Sequence, residues 1–197
     1  VLISLPLLIV AVGVTILLVG RNASSASSQA MARRQLVEQA AEVQSQVVFA
    51  LDQAAPLLER LRQLADPARD RDDVLLRLHD LLIGRPGVAY ASISFPDGTF
   101  RGAYLTATQT IEVQESRVAA DGAIAAHFAV AGAALVPQTI EHNTYDPRTR
   151  AFYQLAQARR ARSWTEPYIF FRSKETGISC AEPIFDANGN MQAVIAV

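Results

Sequence analysis

The first twenty residues, VLISLPLLIVAVGVTILLVG, carry no charge, and Ser4 and Thr15 are their only hydroxyl side chains. Ile, Leu and Val fall all round a helical wheel and leave no polar face, which suits lipid better than a small core. Twenty helical residues at about 1.5 Å each reach about 30 Å, the hydrocarbon thickness of a bilayer. A cleaved signal has a shorter apolar centre and a clear small-residue cleavage site, and the ASSASS after this run is a poor one. The pattern predicts a transmembrane helix over residues 1–20.

Beyond a polar stretch at 22–30, apolar residues return at helical spacing. Leu36, Ala40, Val43, Val47, Ala50, Ala54, Leu57, Leu61 and Leu64 alternate steps of four and three, the seam of a coiled coil or a long packed helix. A helical stalk over 21–70 is expected. Its seam can be buried against a second copy, giving a homodimer, or against the chain's own domain. Pro56 should break it near 52–56, because the ring clashes with the carbonyl four residues back. The charged spacer ADPARDRDD follows, and Asp72 or Asp73 can cap a short helix, VLLRLHDLL, that Gly84 closes.

After Gly87 the period changes from 3.6 to 2. VAYASISF reads as a strand, PDG as a hairpin turn, TFRGAYLTA as the partner and TQTIEVQESRV as a third strand. Residues 119–136, rich in Ala and Gly, predict nothing definite. YDPRTRAFYQLAQARRAR reads as a helix with Asp146 at the cap and Pro147 at the first helical position. EPYIFFRS, GISCAEPIF and MQAVIAV read as three more strands. Short connections make the strands antiparallel, so the expected class is α+β: a transmembrane helix, a long stalk and one antiparallel sheet with flanking helices over 71–197.

Composition narrows the chemistry. The 197 residues have 18 basic and 19 acidic side chains, a balance that lacks the basic excess of a nucleic-acid binder. One cysteine, Cys180, excludes an intrachain disulfide or a CxxC motif. His79, His127 and His142 have neither HxxxH spacing nor neighbouring thiols, so no metal or cofactor is expected. Nucleophile-elbow and P-loop motifs are missing too, and no catalytic residue is assigned.

The segments YDPRTRAFYQLA (145–156), SWTEPYIFF (163–171), GISCAEPIFDANGN (177–190) and MQAVIAV (191–197) occur in the order and spacing of the extracellular Cache sensor family, which the chain resembles over roughly residues 30–197. The resemblance implies a PAS-like sheet above a long helix, often as two modules in tandem, with the second then following Val197. In the amino-acid-binding members, the Arg of an RPWY segment holds the ligand carboxylate between aromatic walls. The matching residues are Arg150, Phe152 and Tyr153, and the planar fork of Arg suits a carboxylate. Tyr168 matches the family's PY tyrosine, and Trp164 is a further aromatic candidate. Phe170 stands where those members carry an acid, which implies a plain carboxylate or apolar organic anion rather than an amino acid.

The resemblance therefore implies a small-molecule sensing module of a bacterial inner-membrane receptor, with residues 31–197 periplasmic and a cytoplasmic output outside this chain. Modules of this kind also occur fused to nucleotide cyclases, so the whole protein could carry adenylate or guanylate cyclase, histidine kinase or diguanylate cyclase activity. A passive structural cap without ligand is the third reading. Arg148 and Arg150, beside Asp146, could also be no more than surface ion-pair partners.

Overall fold

The computed structural model describes residues 31–197 except 32 and 50, in two compact units divided between Phe49 and Ala50. The expected span at 1–20 lies outside the described residues. Among those described, no helix is long and apolar enough to cross a membrane. In the first unit, residues 33–49 form helix α1, and its seam residues Leu36, Val43 and Val47 are all exposed.

The second unit carries the rest of the seam. Helix α2, Ala54–Leu64, begins just after a turn residue, Gln53. Pro56 sits in its first turn, where a missing N–H removes no helical bond. Helix α3, Arg71–Leu82, is capped by Asp70, whose carboxylate accepts from Asp73 N at 2.9 Å. The cap is thus one turn earlier than Asp73 because Asp72 and Asp73 themselves lie in the first turn, where acids complement the helix dipole.

Strands β1 (Tyr90–Ser94), β2 (Phe100–Leu105), β3 (Ile111–Ala119), β4 (Gly122–Ala131) and β5 (Ala134–Asn143) follow as successive antiparallel hairpins. The PDG turn forms as expected, with Gly98 N donating to Phe95 O at 3.0 Å. The Ala/Gly-rich stretch without a definite reading is β4 and the start of β5. Its turns use Gly122 and Gly132, both at positive φ, a conformation that carries no steric penalty for glycine.

Asp146 caps a short 3₁₀ turn, Pro147–Thr149, rather than the helix itself; α4 runs from Ala151 to Arg159. Strands β6 (Ser163–Trp164), β7 (Tyr168–Ile169), β8 (Thr176–Gly177), β9 (Cys180–Phe185) and β10 (Met191–Ala196) complete the chain. The main sheet has the order β5-β4-β3-β2-β1-β10-β9-β6, so the first and last long strands meet at its centre. EPYIFFRS does not join it. Only Tyr168 and Ile169 pair, with β8, in a separate two-stranded hairpin. The reason is local: Phe170 N donates to Glu175 O and Lys174 N to Phe170 O, which turns the chain back on itself at once.

Because strand side chains alternate between faces, the sheet has two different surfaces. Ala91, Ile93, Ala103, Val113, Ala193 and Ile195 meet the leucines of α2 and α3 in one continuous core. Leu57, Leu61, Leu75 and Leu78 are wholly buried there, each worth about 1.5–3 kcal/mol relative to exposure. Glu182 on β9 accepts from Arg62 of α2 and from Arg162, fastening that helix to the sheet. The other face takes α4, whose Phe152, Tyr153 and Ala156 pack on Ala181, Val194 and Ala196 of β9 and β10.

Candidate functional site

Helix α4 covers only one end of its face of the sheet. Over the remainder, β2 to β5, a cleft of about 820 Å³ lies beneath the β7–β8 hairpin. Ligand sites of small molecules run about 300–1,000 Å³. Its floor is set by the pleat: Glu112, Gln114 and Ser116 alternate along β3 and all three line it. The Ser116 Oγ is buried there without a hydrogen-bond partner among the described residues.

Four of the six residues singled out from the sequence line this cleft: Arg150, Phe152, Tyr168 and Phe170. Two do not. Tyr153 points one residue further round α4 into the core against the sheet and is 3% exposed. Trp164 sits on the edge strand β6, paired with Cys180, and is 42% exposed.

The two arginines before α4 have different surroundings. Arg148 is engaged by Asp146 through Nε and Nη2, at 2.9 and 2.8 Å, and also donates to Pro96 O. Arg150 has no carboxylate partner among the described residues. It donates from Nη2 to Ile169 O of the hairpin at 2.7 Å, and its guanidinium carbon lies 5.8 Å from the centre of the Tyr168 ring.

Tyrosine hydroxyls gather beside it. Ser179 Oγ lies within hydrogen-bonding distance of both Tyr90 and Tyr168, the latter at 2.7 Å. Burial pushes the Tyr90 hydroxyl well above its ordinary range, and the Tyr168 hydroxyl adds to the rise. Burial also raises Tyr145, partly offset by the Arg150 charge. Both phenols stay protonated at neutral pH and remain available as donors. Tyr145 has no hydrogen-bond partner for its hydroxyl among the described residues.

A polar cluster not anticipated from the sequence closes the far end. Arg172, on the hairpin, donates from Nη2 to Glu112 at 3.2 Å, lies 3.9 Å from Glu141 and stacks over the Tyr104 ring at 4.2 Å. Tyr104 donates to Glu112 and lies 3.2 Å from His127 Nδ1, while His127 Nε2 is 3.4 Å from Glu141. Arg172 thereby clasps the hairpin to β3, β4 and β5. Period-2 alternation along the third strand would have put Glu112 on the same face as Gln114 and Ser116. His127 and Glu141 gave no signal, because their strands were not legible. Among the described residues no three His, Cys, Asp or Glu side chains are arranged to hold a metal ion.

The cluster has a pH consequence. Burial first, and the Arg172 charge second, hold the His127 imidazolium below its ordinary 6.5, although Glu141 and Glu112 pull the other way. A histidine depressed by folding favours the neutral form, so its stabilisation is complete above about pH 6.5 and is lost as pH falls below that value. His127→Gln should therefore flatten the loss of urea-unfolding stability between pH 7 and pH 5, compared with the unsubstituted chain. An identical slope in the two proteins would show that His127 is not the titrating group.

No family model and no curated protein matches the chain. Among solved structures it is similar to the ligand-binding domain of the Campylobacter jejuni chemoreceptor Tlp3, in complex with 4-methylisoleucine. That match has 13% identity and a TM-score of 0.48, over 74% of this chain and 48% of that one. It is also similar to two ligand-binding domains of Pseudomonas aeruginosa PAO1 amino acid chemoreceptors. PctC, in complex with GABA, matches at 22% identity and TM-score 0.45, over 75% of this chain and 54% of that one. PctB, in complex with L-Gln, matches at 22% identity and TM-score 0.41, over 71% and 43%. The chain spans about half the length of these solved domains.

Proposed function

We propose that the chain is the extracytoplasmic small-molecule sensing module of a membrane-anchored bacterial signalling receptor, and that its cleft holds a carboxylate ligand at Arg150. The observation that carries this reading is Arg150 itself. It is a guanidinium at the wall of an aromatic cleft, with a backbone oxygen and a ring face as neighbours and no carboxylate partner among the described residues. Arg148, two residues away, already has its carboxylate in Asp146, which separates a structural arginine from one free to take a ligand. A guanidinium offers a carboxylate two parallel charge-assisted bonds. Tyr168, fixed by Ser179, lies alongside as a wall and hydroxyl.

No acid stands at 170. Phe170 instead packs edge-to-face on Tyr90 and Tyr168, with ring centres at 5.4 and 5.1 Å. Phe170 offers nothing anionic to a ligand amine, and of the acids that line the cleft Glu112 and Glu141 already face Arg172, so the reading is of a plain organic acid. A ligand bridging Arg150 and the hairpin would bias the position of β7 and β8, and through residues 1–20 as the anchor that bias would pass to an output domain across the membrane. Nucleotide cyclase and kinase activities belong to that output and not to these residues.

Arg150→Ala should weaken binding of small carboxylates more than about tenfold, by analogy with the ~2–5 kcal/mol lost when one partner of a desolvated pair is removed. Arg150→Lys should recover little, since a point charge does not reproduce the fork. Thermal shifts against a panel of small carboxylates, followed by calorimetric titration of both variants, check this, because a ligand selective for the folded form raises its apparent stability. Unchanged affinity in folded Arg150→Ala would remove Arg150 from the site.

The same reading includes a homodimer along α1. The exposed Leu36, Val43 and Val47 lie on one helical stripe, and pairing with a second copy is one way to bury it. The unsubstituted chain should sediment as a dimer, and Val43→Asp with Val47→Asp as a monomer. A monomeric unsubstituted chain at high micromolar concentration would end the idea.

A further inference from the structure

We propose that the cleft selects carboxylates whose body is an aromatic ring, gripped at the acid by Arg150 together with the Tyr145 hydroxyl. This rests on the carboxylate reading above and adds the chemical class of the ligand. Aromatic residues are scarce in the chain, 14 in all, yet eight of them line this one cleft.

They form two runs. In the first, Tyr145 meets Phe100 at a ring distance of 5.1 Å and 78°, and Phe171 at 5.0 Å and 51°. In the second, Phe170 meets Tyr90 and Tyr168, both near-perpendicular. Such tilted and edge-to-face contacts present ring edges and faces together. A guest ring can continue the same geometry, whereas a saturated ring of similar volume gains the buried area but not the quadrupole attraction.

Two glycines show that the walls are built around the rings. A Cβ on Gly102 would lie 2.6 Å from the Phe100 ring, and one on Gly177 would lie 2.5 Å from the Phe170 ring. Each ring lies directly over a strand at a place where no other residue leaves room. The acid end is equally defined. Tyr145 and Arg150 line the same cleft, and burial keeps the Tyr145 hydroxyl protonated. With no hydrogen-bond partner among the described residues, it is a donor available to the second carboxylate oxygen. Tyr145 is the middle ring of the first aromatic run and lines the cleft with Arg150, so one residue ties ring recognition to acid recognition.

The test is calorimetric titration of the 197-residue chain in lipid nanodiscs, with empty nanodiscs subtracted, against phenylacetate, cyclohexylacetate and phenylacetamide. Phenylacetate should bind about fivefold or more tightly than cyclohexylacetate, the scale of one or two aromatic contacts. Phenylacetamide should bind more than about tenfold more weakly than the acid. Phe171→Leu should lower phenylacetate affinity by a similar factor and leave cyclohexylacetate within about twofold. Tyr145→Phe keeps the ring and removes the donor, so it should weaken both acids alike, with far-UV circular dichroism unchanged. Equal affinity for the two acids, with both lost in Arg150→Ala, overturns the aromatic selection and leaves the carboxylate reading standing. An amide that binds as well as the acid, or acid binding indifferent to Arg150→Ala, overturns the carboxylate reading itself. A folded chain that binds neither acid at millimolar concentration overturns both.

Discussion

The pleat of the eight-stranded sheet is the constraint on which the rest depends. Each strand turns alternate side chains to opposite faces, so one sequence must satisfy two environments in every strand. On one side Ile93, Ala103, Val113 and Ile195 feed a leucine core under α2 and α3. On the other, Tyr90, Tyr104 and Glu112 open on a cleft. A one-residue slip of register would exchange the two faces. The core therefore fixes the site: as long as the leucines demand the apolar set, the polar and aromatic set is held toward the hairpin.

Ion pairs then decide where the covering elements lie. Glu182 joins α2 to β9 through Arg62 and holds Arg162 on the same carboxylate. On the core face, Arg101 and Glu115 pair across β2 and β3 at 3.2 Å, both almost fully buried, and Arg101 also reaches the carbonyl of Arg69 in the α2–α3 loop. On the cleft face, Arg172 holds the hairpin to Glu112 and Arg150 holds its other arm by Ile169 O. The hairpin is thus tied at both ends by arginines and otherwise rests on aromatic contacts. An element fastened by a few charge-assisted bonds over a cleft is one whose position a bound anion can change, since the anion competes for the same guanidinium donors.

Much of this was legible in the sequence wherever a single period ran unbroken. The heptad positions from Leu57 to Leu64 belong to a buried helix, and the PDG hairpin, the third strand and the last two strands stand where alternation puts them. The seam itself divides. Its N-terminal residues are exposed on α1 and its C-terminal ones are buried in the domain, a distinction that spacing alone cannot make. Strands β4 and β5 escaped because Ala and Gly carry little hydrophobic contrast, and β5 bears mostly exposed residues, among them Ile140 at 73%. Of the six residues that the segment resemblance named, Arg150, Phe152, Tyr168 and Phe170 line the cleft, while Tyr153 and Trp164 do not. The resemblance picked out Arg150 by its place in the motif, and the structure adds that Arg148 is the arginine paired with Asp146. It could not reach the Arg172 clasp, whose partners lie 45 and 60 residues away along the chain.

The central claim is that an anion enters between the sheet and the hairpin, engages Arg150, and does not act on the leucine face. Hydrogen exchange along the 197-residue chain, with and without saturating phenylacetate, tests it most directly, because protection reports where binding suppresses local opening. The account predicts slower exchange in residues 168–177 and in the first turn of α4, with α2 and α3 unchanged. Protection confined to α2 and α3, or slowed exchange around the hairpin that persists undiminished in Arg150→Ala, would contradict it.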